Sequence, residues 1–149
     1  MNIQIIAVGS LSPEFKKVFE KYEKSISHFS NLNVVEIKEF SEEKNINVKV
    51  QKETNLILSK FQKDATVFLC SLQGKQYDSV EFAQLINQQN NRNLTFVIGG
   101  SNGVDEQKFD SNFKISISKM TFPHQLFRCI LAEQIYRAFS ILENKKYHK

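Results

Sequence analysis

Two short apolar runs near the carboxyl end of the chain each lead directly into a loop that suits a ligand. Leu94–Ile98 (LTFVI) is rich in β-branched and aromatic residues, which is typical of a buried strand. It stops at Gly99–Gly103, where three glycines in five residues allow positive φ angles and close approach to the backbone. A second strand, about Phe113–Ile117, leads into Ser118–Pro123. Because parallel strands end at one edge of a sheet, both loops are expected to form one pocket there.

The rest of the chain alternates apolar runs with helical patterns. Apolar spacing predicts a helix from Pro13 to about Ser27 and another over about Val48–Gln62, whose many charges are expected to face solvent. Ser79 is expected to cap a third helix, and a long amphipathic helix follows Pro123. The predicted strands are Asn2–Val8, Leu32–Ile37, Thr66–Cys70, Leu94–Ile98 and about Phe113–Ile117. This alternation predicts a single α/β domain over residues 1–149, with a mainly parallel sheet.

Composition and missing motifs narrow the classes of function. The net charge of +4 mildly favours an anionic partner, although a solvated basic surface without a partner remains open. Cys70 and Cys129 have neither metal spacing nor a disulfide pattern, which fits a reduced cytoplasmic compartment and predicts no metal. No apolar run is long enough to span a membrane, so no membrane association is expected. The glycine loop lacks the spacing of a dinucleotide or P-loop site, and no Gly-x-Ser-x-Gly elbow occurs.

Four ordered phrases carry a resemblance to a known family. FVIGGSNG, SKMTFPHQ, EQIYRAF and the final YHK resemble the C-terminal knot of the SPOUT RNA methyltransferases, and the opening IQIIAVGSL is also similar. Within that family the chain looks like the small bacterial enzymes that methylate N3 of a pseudouridine in 23S ribosomal RNA. The resemblance implies a C-terminal trefoil knot, S-adenosylmethionine as the methyl donor, a homodimer, and assembled ribosomes as the substrate.

The resemblance also assigns the residues that hold the cofactor among three loops. Gly99 would let the ligand approach the backbone without a Cβ in the way, and the loop Ser71–Lys75 carries a further glycine that is expected to meet a ligand. One departure is expected to weaken binding, since similar sequences place Leu and then an acidic residue where this chain has Cys70 and Ser71. The implied cofactor residues are Cys70, Gly99, Ile117, Ser118, Lys119, Met120, Thr121 and Phe122.

The long helix and the tail carry the implied substrate side. The broad apolar stripe of the helix is either core alone or core and subunit interface, and the resemblance favours a homodimer. It places Arg137 near the dimer pocket as a phosphate contact, whereas His124 is expected to be structural. By residue chemistry the tail is either a solvated end or an RNA contact. The resemblance implies that Tyr147 stacks on a base, that Lys149 meets phosphate, and that His148 accepts the imide proton or, when protonated, steadies the anion.

Two other functions stay open at this stage. A basic, ribosome-associated protein that keeps the cofactor fold without chemistry would account for the charge, but it would have no need of a histidine beside the pocket. A SPOUT enzyme that acts on tRNA would share the glycine loop, but such enzymes often carry an added RNA-binding domain, for which 149 residues leave no room.

Overall fold

A computed structural model describes residues 1–149, with Ser111 described by its backbone alone. Five strands form one sheet in the order β2-β1-β4-β3-β5, and every neighbouring pair is parallel. The strands are β1 (Asn2–Val8), β2 (Asn31–Ile37), β3 (Thr66–Gln76), β4 (Leu94–Ile98) and β5 (Lys114–Ser116). The helices are α1 (Pro13–Ile26), α2 (Ile46–Ser59), α3 (Ser79–Asn87) and α4 (His124–Leu142). The predicted α/β class with a mainly parallel sheet is confirmed.

Apolar residues fill both faces of the sheet. Along β1, Ile5 and Ala7 pack with α1, α3 and α4 on one face, whereas Ile6 and Val8 pack towards α2 on the other. This alternation follows from the two-residue period of a strand and explains why β1 is apolar at nearly every position. All five residues of β4 are buried, so the strand that carries the glycine loop lies at the centre of the core.

The third strand is longer than the sequence predicted. β3 continues to Gln76 instead of ending at Cys70, because its second half pairs with β5 after a register shift between Cys70 and Lys75. At Gly74 an added Cβ would lie 2.5 Å from the backbone carbonyl carbon of Ile115. This contact accounts for the glycine without a ligand. Gly74 is required for the close approach of two strands.

The second helix buries charges that were expected to face solvent. α2 begins earlier than predicted, at Ile46, since the side chain of Asn45 accepts a hydrogen bond from the amide of Val48 (3.3 Å) and caps the helix. Lys49 and Glu53 then lie 7% and 0% exposed. Both side chains point towards the edge of the sheet where the glycine loop starts, which the helical period alone does not reveal.

The remaining helices enclose the other face of the sheet. α3 is capped by Asp78 instead of Ser79, in a capping box with Glu81. α4 packs against α1 and α3, and its buried residues include Leu131, Ile135 and Ala138, as the predicted stripe requires. Over the part of the chain that the structure describes, no helix is both long and apolar enough to cross a membrane.

Candidate functional site

A cavity of about 350 Å³ opens at the carboxyl ends of β3, β4 and β5. This edge is where parallel α/β sheets bind ligands, and the volume lies within the roughly 300–1,000 Å³ typical of ligand sites. Cys70 is one of its lining residues, and it pairs with Ile98 of β4 and with Ile115 of β5. The predicted cofactor residues that line the cavity are Cys70, Gly99, Ile117, Ser118, Met120, Thr121 and Phe122. Lys119 is exposed and is not among the described residues that line it.

The glycine loop folds back on itself at the cavity wall. The amide of Gly103 donates to the carbonyl of Gly100 (3.0 Å), and Gly103 has a positive φ of 73°. An added Cβ at Gly99 would lie 3.1 Å from Cγ1 of Val104 and 3.2 Å from the carbonyl carbon of Gly103. Gly99 is therefore needed first for the turn itself. Its lack of a side chain keeps Gly103 and Val104, which also line the cavity, close to the strand end.

The loop after β5 is held by its own serines. The hydroxyl of Ser116 donates to the carbonyl of Ser118 (2.9 Å), and the amide of Met120 donates to the hydroxyl of Ser118 (3.0 Å). These short-range bonds fix a turn that directs Ile117 and Thr121 to the cavity. Met120 lines the cavity and is nevertheless 73% exposed, so it forms part of the rim.

A buried lysine anchors the glycine loop to α2. Nζ of Lys49 donates to Oδ1 of Asn102 (2.9 Å), to the hydroxyl of Ser101 (3.3 Å) and to Oε1 of Glu39 (3.2 Å). The bond from Lys49, followed by one from Ser101, holds the pKa of Glu39 below its ordinary value. A paired carboxylate at the end of β2 is thus linked through one ammonium group to the loop at the end of β4.

The thiol of Cys70 in the cavity wall is a weak acid. Cys70 is a free cysteine, and burial raises the pKa of its thiol to about 12. At neutral pH it is therefore a small apolar wall rather than a nucleophile. Within the described side chains, no three His, Cys, Asp or Glu residues are grouped closely enough to hold a metal ion.

His124, expected to be structural, also lines the cavity as the first residue of α4. An added Cβ at Gly9, just after β1, would lie 3.3 Å from Cε1 of the His124 ring. Gly9 has a positive φ of 91°, so the turn after β1 makes room for the imidazole. The sequence offered one signal for this residue, its place directly after Pro123 in the SKMTFPHQ phrase.

The predicted substrate residues form a separate cluster along the second half of α4. Glu133 receives hydrogen bonds from Arg137 Nε (2.9 Å) and from the hydroxyl of Tyr147 (3.1 Å), and a nitrogen of Arg137 lies 3.2 Å from Nδ1 of His148. Desolvation first, and Glu133 second, raise the pKa of Tyr147 to about 12. The structure thus brings together three of the four predicted residues, and Lys149 follows as an exposed end. Among the described side chains of one chain, none of these four lines the cavity.

Comparison with known proteins places this arrangement in a family. A family model described as "Predicted SPOUT methyltransferase" matches residues 1–148. The chain belongs to the SPOUT methyltransferase family. The resemblance carried by the four phrases is therefore confirmed, and the chain is a methyltransferase.

Curated relatives match this SPOUT methyltransferase over its whole length. Proteins named ribosomal RNA large subunit methyltransferase H are 58% identical in Mycoplasmopsis agalactiae, over 99% of both chains, and 43% identical in Clostridium botulinum, over all of both. A solved structure of a probable methylase family protein from Haemophilus influenzae superimposes with a TM-score of 0.55. It is 12% identical and the match covers 99% of this chain and 70% of that one, so it supports the fold alone.

This SPOUT chain has an acidic group at the cavity that sequence reasoning missed. The hydroxyl of Ser71 lies 3.0 and 2.9 Å from the two carboxylate oxygens of Glu106, and Lys114 lies 3.3 Å from the first of them. Ser71 and Glu106 both line the cavity. Glu106 therefore supplies a carboxylate beside Ser71, the position at which the resemblance implied an acidic residue. Its distance of 35 positions from Ser71 left no signal in the sequence.

Proposed function

We propose that this chain transfers a methyl group from S-adenosylmethionine to N3 of a pseudouridine in 23S ribosomal RNA, as a homodimer acting on assembled ribosomes in the cytoplasm. The observation that carries the proposal is the cavity at the ends of β3, β4 and β5, whose walls are the two loops of the family phrases. The names of relatives at 43–58% identity support ribosomal RNA as the substrate.

The residues of the cavity fit S-adenosylmethionine. Ile98, Ile115 and Phe127 offer an apolar slot for adenine, and loop backbone groups offer hydrogen bonds to its edge. Glu106 offers a carboxylate to a ligand that carries a net positive charge. When bound, the cofactor supplies a methyl carbon that its sulfonium makes electrophilic. The chain then has to orient the acceptor nitrogen and exclude water, which is catalysis by positioning.

The separation of the tail from the cavity supports a composite site. Within one chain the tail is fixed by Glu133 to the middle of α4, while the cavity lies at the amino-terminal end of that helix. Glu133 lies nine residues after His124, roughly 14 Å along the helix axis, and no residue of the docked tail lines the cavity of its own chain. In a homodimer the tail of one subunit can instead face the cavity of the other. We therefore include the homodimer in the proposal, with the tail as its substrate side.

The proposal keeps the trefoil knot as an expectation about the path of the carboxyl-terminal third. Membership of a methyltransferase family argues against the binding module without chemistry. The relatives are named as ribosomal RNA methyltransferases, which favours ribosomal RNA over tRNA as the substrate.

A deletion strain tests the proposal in the cell. We expect mass spectrometry of its 23S ribosomal RNA to show the loss of one methyl group from one pseudouridine, restored by the intact gene. An unchanged modification map would refute the substrate. Calorimetry with S-adenosylmethionine tests the cofactor separately, and light scattering of the 17.3 kDa chain at micromolar concentration is expected to give twice that mass.

A further inference from the structure

Glu133, in the middle of α4, is the centre of the hydrogen-bond cluster that includes Arg137 and Tyr147. Its Oε1 accepts a hydrogen bond from Nε of Arg137 at 2.9 Å and lies 2.7 Å from a second nitrogen of the same guanidinium. It also accepts a hydrogen bond from the hydroxyl of Tyr147. Its Oε2 accepts a hydrogen bond from the side-chain amide of Gln134 at 2.9 Å. The side chains of Glu133 and Arg137 are 16% and 24% exposed, so this pair is more shielded than an ordinary surface ion pair.

The orientation of Arg137 is therefore fixed from two sides. Glu133 holds one edge of the guanidinium, and the ring of Tyr147 lies 4.7 Å from its central carbon. Tyr147 is itself held by Tyr136, whose ring centroid is 4.6 Å away. The remaining terminal nitrogen of Arg137 points at Nδ1 of His148, at 3.2 Å.

This contact decides which nitrogen of the histidine carries the proton. Arginine has N–H donors and no acceptor, so Nδ1 of His148 must accept the hydrogen bond with its lone pair. In a neutral imidazole the single proton then lies on Nε2. His148 accordingly presents a donor, and not a base, to whatever meets its exposed edge.

We infer that Glu133 and Arg137 are positioning residues which hold His148 in its Nε2–H tautomer, so that His148 donates a hydrogen bond to a carbonyl oxygen beside the target nitrogen. This inference rests on the proposed function, and it replaces the role of imide-proton acceptor that the resemblance implies for His148. The imide proton leaves to solvent water, and the resulting negative charge spreads onto the two carbonyl oxygens that flank N3. A fixed N–H donor at one of these oxygens stabilises the charge where it develops.

The tautomer is measured on the whole protein without substrate. Nitrogen-15 NMR distinguishes a protonated from an unprotonated imidazole nitrogen, and comparison with His148→Ala assigns the signals among the three histidines. We expect Nε2 of His148 to be protonated and Nδ1 to be unprotonated at pH 8. We expect this preference for a proton on Nε2 to be lost in Glu133→Ala and kept in Glu143→Gln. The second variant removes a carboxylate from the exposed end of the same helix. A proton on Nδ1 of the unmodified protein would overturn the inference.

A swapped ion pair tests the consequence for turnover. Glu133→Arg combined with Arg137→Glu keeps opposite charges at positions i and i+4 and therefore keeps the helix pair. It places a carboxylate on the side of Nδ1, which then donates to it, so that Nε2 becomes an acceptor when the imidazole is neutral; the nitrogen-15 spectrum of the swapped protein verifies that state. We expect kcat on ribosomes to fall roughly 10²-fold, the usual effect of losing one such donor, while the KM for ribosomes changes little. A swapped protein that turns over at the original rate would contradict a donor role.

Substitutions of the histidine itself give a second readout that does not depend on the swapped pair. His148→Gln keeps an N–H donor near the place of Nε2 but has no basic nitrogen, whereas His148→Ala has neither. We expect the glutamine variant to retain at least tenfold more turnover than the alanine variant, and equal loss in both would identify His148 as a base. Unmodified protein that binds S-adenosylmethionine but methylates no ribosomes would refute the proposed function alone, since the tautomer is measured independently.

Discussion

The hydroxyl of Ser71 holds the carboxylate of Glu106 at the cavity, at 3.0 and 2.9 Å from its two oxygens. The amide of Gln73 donates to the same hydroxyl (3.1 Å), so Ser71 joins the bulged part of β3 to the segment after the glycine loop. A serine in place of an acidic residue therefore does not leave this wall without a carboxylate. The expected weakening of cofactor binding is offset to the extent that Glu106 faces the ligand.

Glu106→Gln is expected to weaken S-adenosylmethionine binding roughly tenfold, because the cavity loses a carboxylate and Lys114 is left uncompensated beside a cationic ligand. Asp105→Asn is the matched control, since it removes the same formal charge one residue earlier, outside the lining of the cavity. Calorimetry at low salt measures both. Equal affinities of the two variants would exclude Glu106 from the cofactor site.

Lys49→Met is expected to lower the free energy of unfolding by about 2 kcal/mol, because it removes the shared partner of Glu39, Ser101 and Asn102 inside the fold. Lys52→Met on the same helix removes a partly exposed pair with Glu43 and a contact with the ring of Phe40, and it is expected to cost less than about 1 kcal/mol. Urea unfolding measures the two losses. We also expect weaker cofactor binding only in the Lys49 variant, since that lysine anchors the glycine loop.

The stabilising effect of Lys49 is expected to depend on pH. The pKa of Glu39 is lowered in the folded chain, so its contribution is fully present above its unfolded value near 4.5 and is lost as the pH falls through the folded value. The difference in melting temperature between the original protein and Lys49→Met should therefore be constant near pH 7 and shrink below about pH 4. A difference that stays the same down to pH 3 would show that the ion pair contributes nothing.

Cys70 is expected to resist alkylation although it lies in an open cavity. Burial raises the pKa of the Cys70 thiol to about 12, so modification is expected to be slow at pH 8 and to speed up as the pH rises. Peptide mass spectrometry after iodoacetamide treatment follows Cys70 directly. Rapid modification at pH 7 would contradict the raised pKa, and S-adenosylmethionine is expected to slow modification at every pH at which the fold is intact.

The sequence predicted those features that depend on neighbouring residues. Apolar runs located all five strands, and the glycine and SKMTFP loops located the cavity, because parallel strands end at one edge. The length of β3 was missed since its second half is polar and exposed, and only its partner β5 makes it a strand.

Long-range partners account for what the sequence left out. Arg128 is 1% exposed and lies 2.6 Å from Glu36, 92 positions away, while Nη2 donates to the carbonyl of Gly9. Lys49 reaches Asn102 over 53 positions. A buried charge needs a partner, and here the fold brings that partner from a distant part of the chain. The spacing of residues in the sequence therefore predicts neither pair. The Glu133–Arg137 pair was visible at i, i+4, but its hold on Tyr147 depended on how the tail folds back.

Methylation of ribosomes with purified protein tests the central claim most directly. Ribosomes from a strain that lacks the gene are incubated with the protein and S-adenosylmethionine, and the nucleosides of their 23S RNA are analysed by mass spectrometry. We predict that one pseudouridine per ribosome gains a single methyl group at N3, and that a protein without Tyr147, His148 and Lys149 adds none while binding the cofactor normally. No methyl transfer by the intact protein, or transfer to a different nucleoside, would contradict the account.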